Sequence, residues 1–441
     1  MLKITEISVG NMKYSVGWLI TFHADKILKF KRKLIHQYWL LPLFTVSLLL
    51  TTFFPLINYS FPASSTQVCN FDRASRELRG VWLTNIDSDV LFSPQTTTEA
   101  IAQLAQSNFN TLYPTVWNWG YTLYPSKVAQ KITGYELDPI EELQGRDVLQ
   151  EIIKQGHQHK MSVIPWFEFG FMAPADSELA KQHPQWLTQR HDGSTIWWEG
   201  KVHQRVWLNP LNPEVQQFIT DLIVEIVSNY DVDGIQLDDH FGYPAELGYD
   251  QVTVKLYQQE HDGKFPPKDP TDAEWIRWRA DKITAYMKQL FKAIKQANPD
   301  AIVSLSPNPQ KFSLESFLLD WHQWEQAGLI EELIIQVYRQ DLDSFVRELN
   351  QPEVITASNH IPVGIGILSG LKGRWVSLAQ IKQQVKATRD RNLAGVSFFF
   401  YESLWNLTLE PPETRQTLLK SLFTPKLERP SILDCQRASN G

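Results

Sequence analysis

Residues 212–240 read NPEVQQFITDLIVEIVSNYDVDGIQLDDH. Val215, Phe218, Ile219, Leu222, Ile223, Ile226 and Val227 recur at helical spacing, so Pro213–Tyr230 is expected to be a helix with one apolar face. Asn212 is its expected N-cap and Pro213 its first residue, where a missing N–H costs nothing. Directly after it, Val232–Leu237 (VDGIQL) is a short apolar run, as in a parallel strand buried on both faces. It ends on two acids and a histidine. A helix feeding a buried strand with charge at its C-terminal end is one βα repeat of a parallel α/β sheet.

Seven further runs extend the pattern: Leu78–Leu83 (LRGVWL), Phe109–Val116 (FNTLYPTV), Met161–Phe167 (MSVIPWF), Ala301–Ser306 (AIVSLS), Leu333–Tyr338 (LIIQVY), Ile361–Leu368 (IPVGIGIL) and Gly395–Phe400 (GVSFFF). Helical patterns lie between them, around Val148–Ile153, Trp275–Ile294 and Leu378–Val385. About eight alternations predict an α/β fold, a (β/α)8 TIM barrel over residues 76–423 with long βα loops. A doubly wound open sheet is the alternative, but no Gly-rich fingerprint follows the first strand. The long connections are Gly170–Leu208, with Trp186, Trp197, Trp198 and Trp207, and Phe241–Thr271. Long loops after barrel strands usually build the site.

Before the barrel, Lys26–Lys33 (KILKFKRK) is basic and Tyr38–Ile57 carries no charge. That order is expected of a signal peptide or signal-anchor helix in the cytoplasmic membrane. The chain then divides into a basic N-terminal region (1–37), the membrane or signal segment (38–57), a linker (58–75), the barrel, and a C-terminal tail (424–441). The barrel is accordingly expected to be extracytoplasmic, in the periplasm or cell envelope or secreted. The two cysteines flank it, and outside the cytosol a Cys69–Cys435 disulfide is expected. Two cysteines exclude a disulfide scaffold or a four-thiolate zinc site. A net charge of -7 argues against a nucleic-acid partner. Sixteen tryptophans suit stacking on flat sugar faces as well as core packing.

Side chains at strand C-termini face the substrate in a barrel. Alternation puts Ile235 and Leu237 toward the helices and Gln236 and Asp238 toward the interior. Asp238 is then a carboxylate at the barrel mouth, with Asp239 and His240 beside it. By the same parity Trp166 and Glu168 face the pocket. Aromatic surface around Glu168 would raise its pKa and keep it protonated as a general acid. Glu402 after the last strand is a second acid candidate, and Glu199 in the tryptophan loop a third. Asn85, Asp87, Trp117, Asn118, Ser306, Asn308, Gln336, Tyr338 and Tyr401 supply polar or aromatic contacts to sugar. Trp197 and Trp198 are expected to stack on it. Two carboxyls flanking an aromatic cleft are what glycoside hydrolysis requires; their separation decides between retaining and inverting chemistry. No cofactor is expected. A metal at Asp238, Asp239 and His240 is disfavoured, since neighbours on a strand point to opposite faces. A phosphate site at Gly364, Gly366, Gly370 and Gly373 with Lys372 and Arg374, and a non-catalytic glycan-binding barrel, are the other readings.

The segments Glu77–Thr84 (ELRGVWLT), Asn108–Tyr113 (NFNTLY), Trp207–Pro210 (WLNP), Asp231–Pro244 (DVDGIQLDDHFGYP), Ser306–Pro307 and Gly395–Tyr401 resemble the glycosyl-hydrolase-like 10 family, relatives of the alpha-amylase superfamily. The resemblance covers nearly the whole barrel. It implies a glycosidase barrel whose strand-four aspartate, here Asp238, is the nucleophile. Where that superfamily carries an arginine two residues earlier, this chain has Gln236. One branch of the family acts on peptidoglycan glycan strands stripped of peptide, which would suit an extracytoplasmic enzyme with a polysaccharide or peptidoglycan substrate.

Overall fold

In a computed structural model the described residues are 7–9, 12–14, 72 and 74–432. The expected membrane or signal segment (38–57), both cysteines, and most of the N-terminal region and linker lie outside them. Ile7–Val9 and Met12–Tyr14 form an antiparallel pair. Among the described residues no helix is long and apolar enough to cross a membrane.

Nine short strands make one curled parallel sheet with helices between them. In chain order the runs are β1 (Leu78–Leu83), β2 (Thr111–Pro114), β3 in two pieces (Ser162–Val163 and Trp166–Phe167), β4 (Gly234–Asp238), β5 (Ile302–Ser306), β6 (Glu332–Gln336), β7 (Val363–Leu368) and β8 (Gly395–Phe399). The two outermost strands of the sheet are the two pieces of β3. Ile164–Pro165 separates them, and a proline has no N–H to give the ladder. The first piece pairs with β2 and the second with β4. The Ile164 N–H donates to the Leu112 carbonyl and the Gln236 N–H to that of Pro165, so hydrogen bonding reaches both sides of the break. All the strand runs expected from the sequence are present.

The helix Pro213–Asn229 begins as its sequence predicts. The Asn212 side chain accepts from the Glu214 N–H at 3.0 Å, and the seven apolar residues of its inner face are all buried. Each such side chain contributes about 1.5–3 kcal/mol of hydrophobic stabilisation.

The long connection after β3 is a three-stranded antiparallel sheet of Met172–Pro174, Trp197–Glu199 and His203–Trp207. A tight hairpin, Trp117–Asn118 with Tyr121–Thr122, follows β2. Its turn holds Trp119 at φ 55 and Gly120 at φ 81. A left-handed tryptophan costs roughly 1–2 kcal/mol, so the surroundings must hold the turn in place.

Gly364 and Gly366 lie inside β7, where a Cβ would meet Ile334 and Leu78, or Trp82. They serve close strand packing, so these two glycines are not part of the expected phosphate loop. The segment after Phe423 is not free as far as Ile432. The Glu77 N–H donates to the Glu428 carbonyl at 2.9 Å, and Arg429 pairs with buried Glu332.

Candidate active site

Asp238 is the last residue of β4 and is buried. Its Oδ1 accepts from Ser306 Oγ and from Gln336 Nε2, each at 2.8 Å. Its Oδ2 lies 2.9 Å from His240 Nδ1. Both oxygens are engaged by donors, the environment of a charged acceptor. The strand ends here, and Asp239–Phe241 forms a 3-10 turn. The turn, not strand alternation, sets the next two side chains. His240 Nδ1 reaches Asp239 Oδ1 at 3.2 Å as well as the Glu168 carbonyl oxygen at 2.9 Å. Asp239 also accepts from Asn308 Nδ2.

The expectation that Asp238, Asp239 and His240 could not converge is therefore corrected. Their ligand-capable atoms lie within 4.8 Å of one another. The 2.9–3.2 Å spacings place one Nδ1–H among three acceptor oxygens, which the neutral Nδ1–H ring and the imidazolium supply alike. Burial opposes that charge, but the carboxylates of Asp239, Asp238 and Glu199 outweigh it and hold His240 up at about 10. Burial, and then the Asp238 charge, push the Asp239 pKa up, and the His240 cation beside it works the other way.

Glu168 follows β3 and is buried. Its Oε2 accepts from Asn118 Nδ2 at 2.8 Å, Thr115 Oγ1 at 3.0 Å and Thr84 Oγ1 at 3.2 Å. Burial first, and the Asp238 charge second, raise its pKa to about 8 against these donors and His240. Gly170 lets the chain turn back over His240: its φ is 48, and a Cβ there would strike the His240 carbonyl. Among the described residues, both oxygens of Asp238 thus meet donors, whereas Glu168 is bonded through Oε2 alone and keeps its proton at neutral pH.

Aromatic rings form the floor. Trp166 packs on Trp82 and on Phe399, with ring centres 6.0 and 6.2 Å apart. Tyr338 stacks on Phe399 at 5.6 Å. Burial and the charges of Asp238, Asp239 and Glu168 push the Tyr338 phenol far up, so its O–H stays intact beside the acids. Asn85 accepts from Asn118 at 2.9 Å. The structure thus gathers Asp238, Asp239, His240, Glu168, Asn85, Asn118, Trp166, Ser306, Asn308, Gln336 and Tyr338.

Other expected residues fall elsewhere. Trp117 is fully buried, stacked on Phe167 and edge-on to Phe218, with its indole N–H on the Gly170 carbonyl at 3.0 Å. It is packing between sheet and helix. The Tyr401 hydroxyl donates to Gln103 on the helix Pro94–Gln106 at 2.9 Å, so it too faces the helical layer. Glu402 accepts from Ser88 at 3.3 Å and Asn406 at 2.5 Å; among the described residues neither oxygen bonds to the central cluster. Trp197 packs edge-on against Trp207 and Phe317, whereas Trp198, on the opposite face of its strand, is 50% exposed. Glu199 pairs with Arg205 at 2.7 Å.

Thr84 and Thr115 are the contacts that sequence reasoning missed. Thr84 shares the inward parity of Trp82, so alternation along β1 offered a signal for it. Nothing local reveals that Thr115 bonds to Glu168.

A curled parallel sheet with helices between its strands, carboxyl groups at its C-terminal edge and aromatic rings beside them is a fold of the kind seen in TIM-barrel glycosidases. The chain belongs to the glycosyl hydrolase-like 10 family, whose sequence profile matches residues 77–388. It is 26% identical over 322 residues to the glycosyl hydrolase DigH of Escherichia coli K12, covering 63% of this chain and 69% of that one. Among solved structures, it is similar to the catalytic domain of a beta-amylase from Paenibacillus polymyxa. The TM-score is 0.56 at 9% identity, over 80% of this chain and 100% of that one. The PgaB glycoside hydrolase domain of Bordetella bronchiseptica gives 0.53 at 11% identity, over 76% and 99%. At such identities these two likenesses concern the fold alone.

Proposed function

We propose that the chain is a (β/α)8-barrel glycoside hydrolase acting on an extracytoplasmic glycan, with Glu168 as general acid. Asp238 is the ionised partner, either attacking the anomeric carbon or activating a water. The observation that carries this reading is the different bonding of two neighbouring carboxyls: among the described residues, both oxygens of Asp238 but only one of Glu168 meet donors. Glu168 is raised to about 8 by burial and by Asp238, while Asp238 is bonded to Ser306, Gln336 and His240. Environments that differ in this way divide acid from base roles. Glu168 gives its proton to the glycosidic oxygen as the C–O bond breaks, and that oxygen keeps the bonding pair. Asp239, His240, Asn85, Asn308 and Tyr338 surround the sugar, and Trp198 offers an outer stacking face.

Family membership supports a glycan substrate. The basic stretch and uncharged run near the N-terminus support an extracytoplasmic location. Peptidoglycan glycan strands stripped of peptide are the first substrate to try.

The test incubates the purified full-length chain with such strands and with a polysaccharide panel, and analyses products by mass spectrometry. Hydrolysis that is lost in both Glu168→Gln and Asp238→Asn supports the assignment. Glycan binding without products would make the barrel a binding protein. The anomer released first, read by NMR, separates retaining from inverting action.

A further inference from the structure

We propose that Thr84, Thr115 and Asn118 are positioning residues that clamp one carboxyl oxygen of Glu168, Oε2, and thereby hold the transferable proton on the other, Oε1. The proposal rests on the reading of Glu168 as the general acid.

Three donors converge on Oε2, two hydroxyls and one amide N–H, at 3.2, 3.0 and 2.8 Å. An oxygen whose lone pairs already accept three bonds cannot carry the acidic hydrogen as well. Among the described residues no donor or acceptor is bonded to Oε1. The donors themselves are aimed. Thr84 Oγ1 accepts from the Ile86 N–H at 3.2 Å, which leaves its hydrogen for Glu168. Asn118 Nδ2 divides its two hydrogens between Asn85 Oδ1 and Glu168 Oε2. The hairpin that carries Asn118 is pinned at the left-handed Trp119–Gly120 turn. The clamp is drawn from three separate segments, the end of β1, the residue after β2 and the hairpin, so it is set by the fold rather than by one flexible loop.

This arrangement does two things for proton transfer. It leaves the Oε1–H free to reach the glycosidic oxygen. When that O–H bond breaks, the charge left on the carboxylate is met by donors already in place, with no reorganisation at the moment of reaction. Burial and the Asp238 charge would otherwise hold the proton too tightly for efficient transfer.

The test is an infrared difference titration of the full-length protein from pH 5 to 10, which needs no substrate. The Glu168 carboxyl band is identified by its loss in Glu168→Gln. In Thr115→Val, close in shape but without a hydroxyl, its midpoint should rise by about one unit. The C=O stretch of the protonated form should move to higher frequency, because a bond to the carbonyl oxygen has gone. Thr115→Ser should restore both. An unchanged or lower midpoint, or an unshifted stretch, in a Thr115→Val protein of wild-type melting temperature would overturn the clamp. Should that variant fail to fold, Thr84→Val carries the same expectations. Full turnover in Glu168→Gln would instead sink the general-acid reading, whatever the titration shows.

Discussion

Glu168→Gln should make the protein more stable, by an amount that grows as pH rises from 4.5 to about 8. The substitution keeps the shape, and its amide carbonyl can still accept from Thr84, Thr115 and Asn118. What it removes is the ability to ionise. Burial and Asp238 hold the Glu168 pKa at about 8, against 4.5 for the free group. Below 4.5 the carboxyl is protonated in folded and unfolded chains alike, and it adds no pH dependence. Between 4.5 and 8 the unfolded chain releases the proton while the folded chain retains it, so stability falls as pH rises. Above 8 the loss is complete. The gap from 4.5 to about 8, at ~1.36 kcal/mol per unit, is on the order of 5 kcal/mol. His240 titrates too, but it is present in both proteins, and the comparison isolates residue 168. The assay is urea unfolding of wild type and variant at pH 4.5 and pH 9. The variant's advantage should grow by several kcal/mol between the two. An advantage that is the same at both values would refute the buried, proton-retaining Glu168 on which the acid assignment depends.

Asp238→Asn should lower kcat by roughly three orders of magnitude or more, since a charged reacting group is lost, with the fold kept but the melting temperature lowered, because the new amide N–H must face one of the donors now bonded to Asp238. Arg429→Leu should cost about 3–5 kcal/mol by leaving buried Glu332 without its cation, and Glu332→Gln added to it should recover much of that loss in thermal unfolding. Trp198→Ala should weaken glycan binding by ~1–3 kcal/mol in calorimetry with a stability change under ~0.5 kcal/mol. Trp197→Ala should lower the melting temperature as well, because that ring packs on Trp207 and Phe317.

The sheet was legible because its evidence is local. Short apolar runs bounded by helical spacing mark β1 to β8, and alternation along one strand is enough to turn Asp238 and Gln236 inward. The same rule reached Glu168, one residue past β3, but failed where the chain had entered a hairpin, a helix or a turn. Trp117 sits in a hairpin and Tyr401 opens a helix, so a period of two does not govern either direction. Asp239 and His240 lie in a 3-10 turn that brings them back to Asp238. The hydroxyl of Thr115 meets Glu168 across strands far apart in sequence. That contact depends on strand register, which the amino-acid pattern of β2 does not contain.

Gln236 explains how Asp238 is held without the arginine expected beneath it by resemblance. Its side chain accepts from Trp82 Nε1 at 2.7 Å and donates to Ser304 Oγ at 3.0 Å, so a neutral residue is satisfied at that depth. The next layer down is charged: Glu332 accepts from Ser304 and Tyr113 and pairs with Arg429 from the C-terminal segment. Gln236 therefore stands between two ionic layers. An arginine there could still donate to Ser304 Oγ, but it has no acceptor for the Trp82 indole N–H and would leave that buried group unpaired, a cost of about 1–3 kcal/mol. The positive partner of Asp238 comes instead from above, as His240 in the turn after β4. Because His240 is held through the Glu168 backbone carbonyl as well, the two carboxyls share one positioning element. Charge at the mouth is thus set by loops over a neutral layer, while the base is closed by the ion pair of Arg429 and Glu332. Substitutions at the base should act on stability, and those in the turn on chemistry.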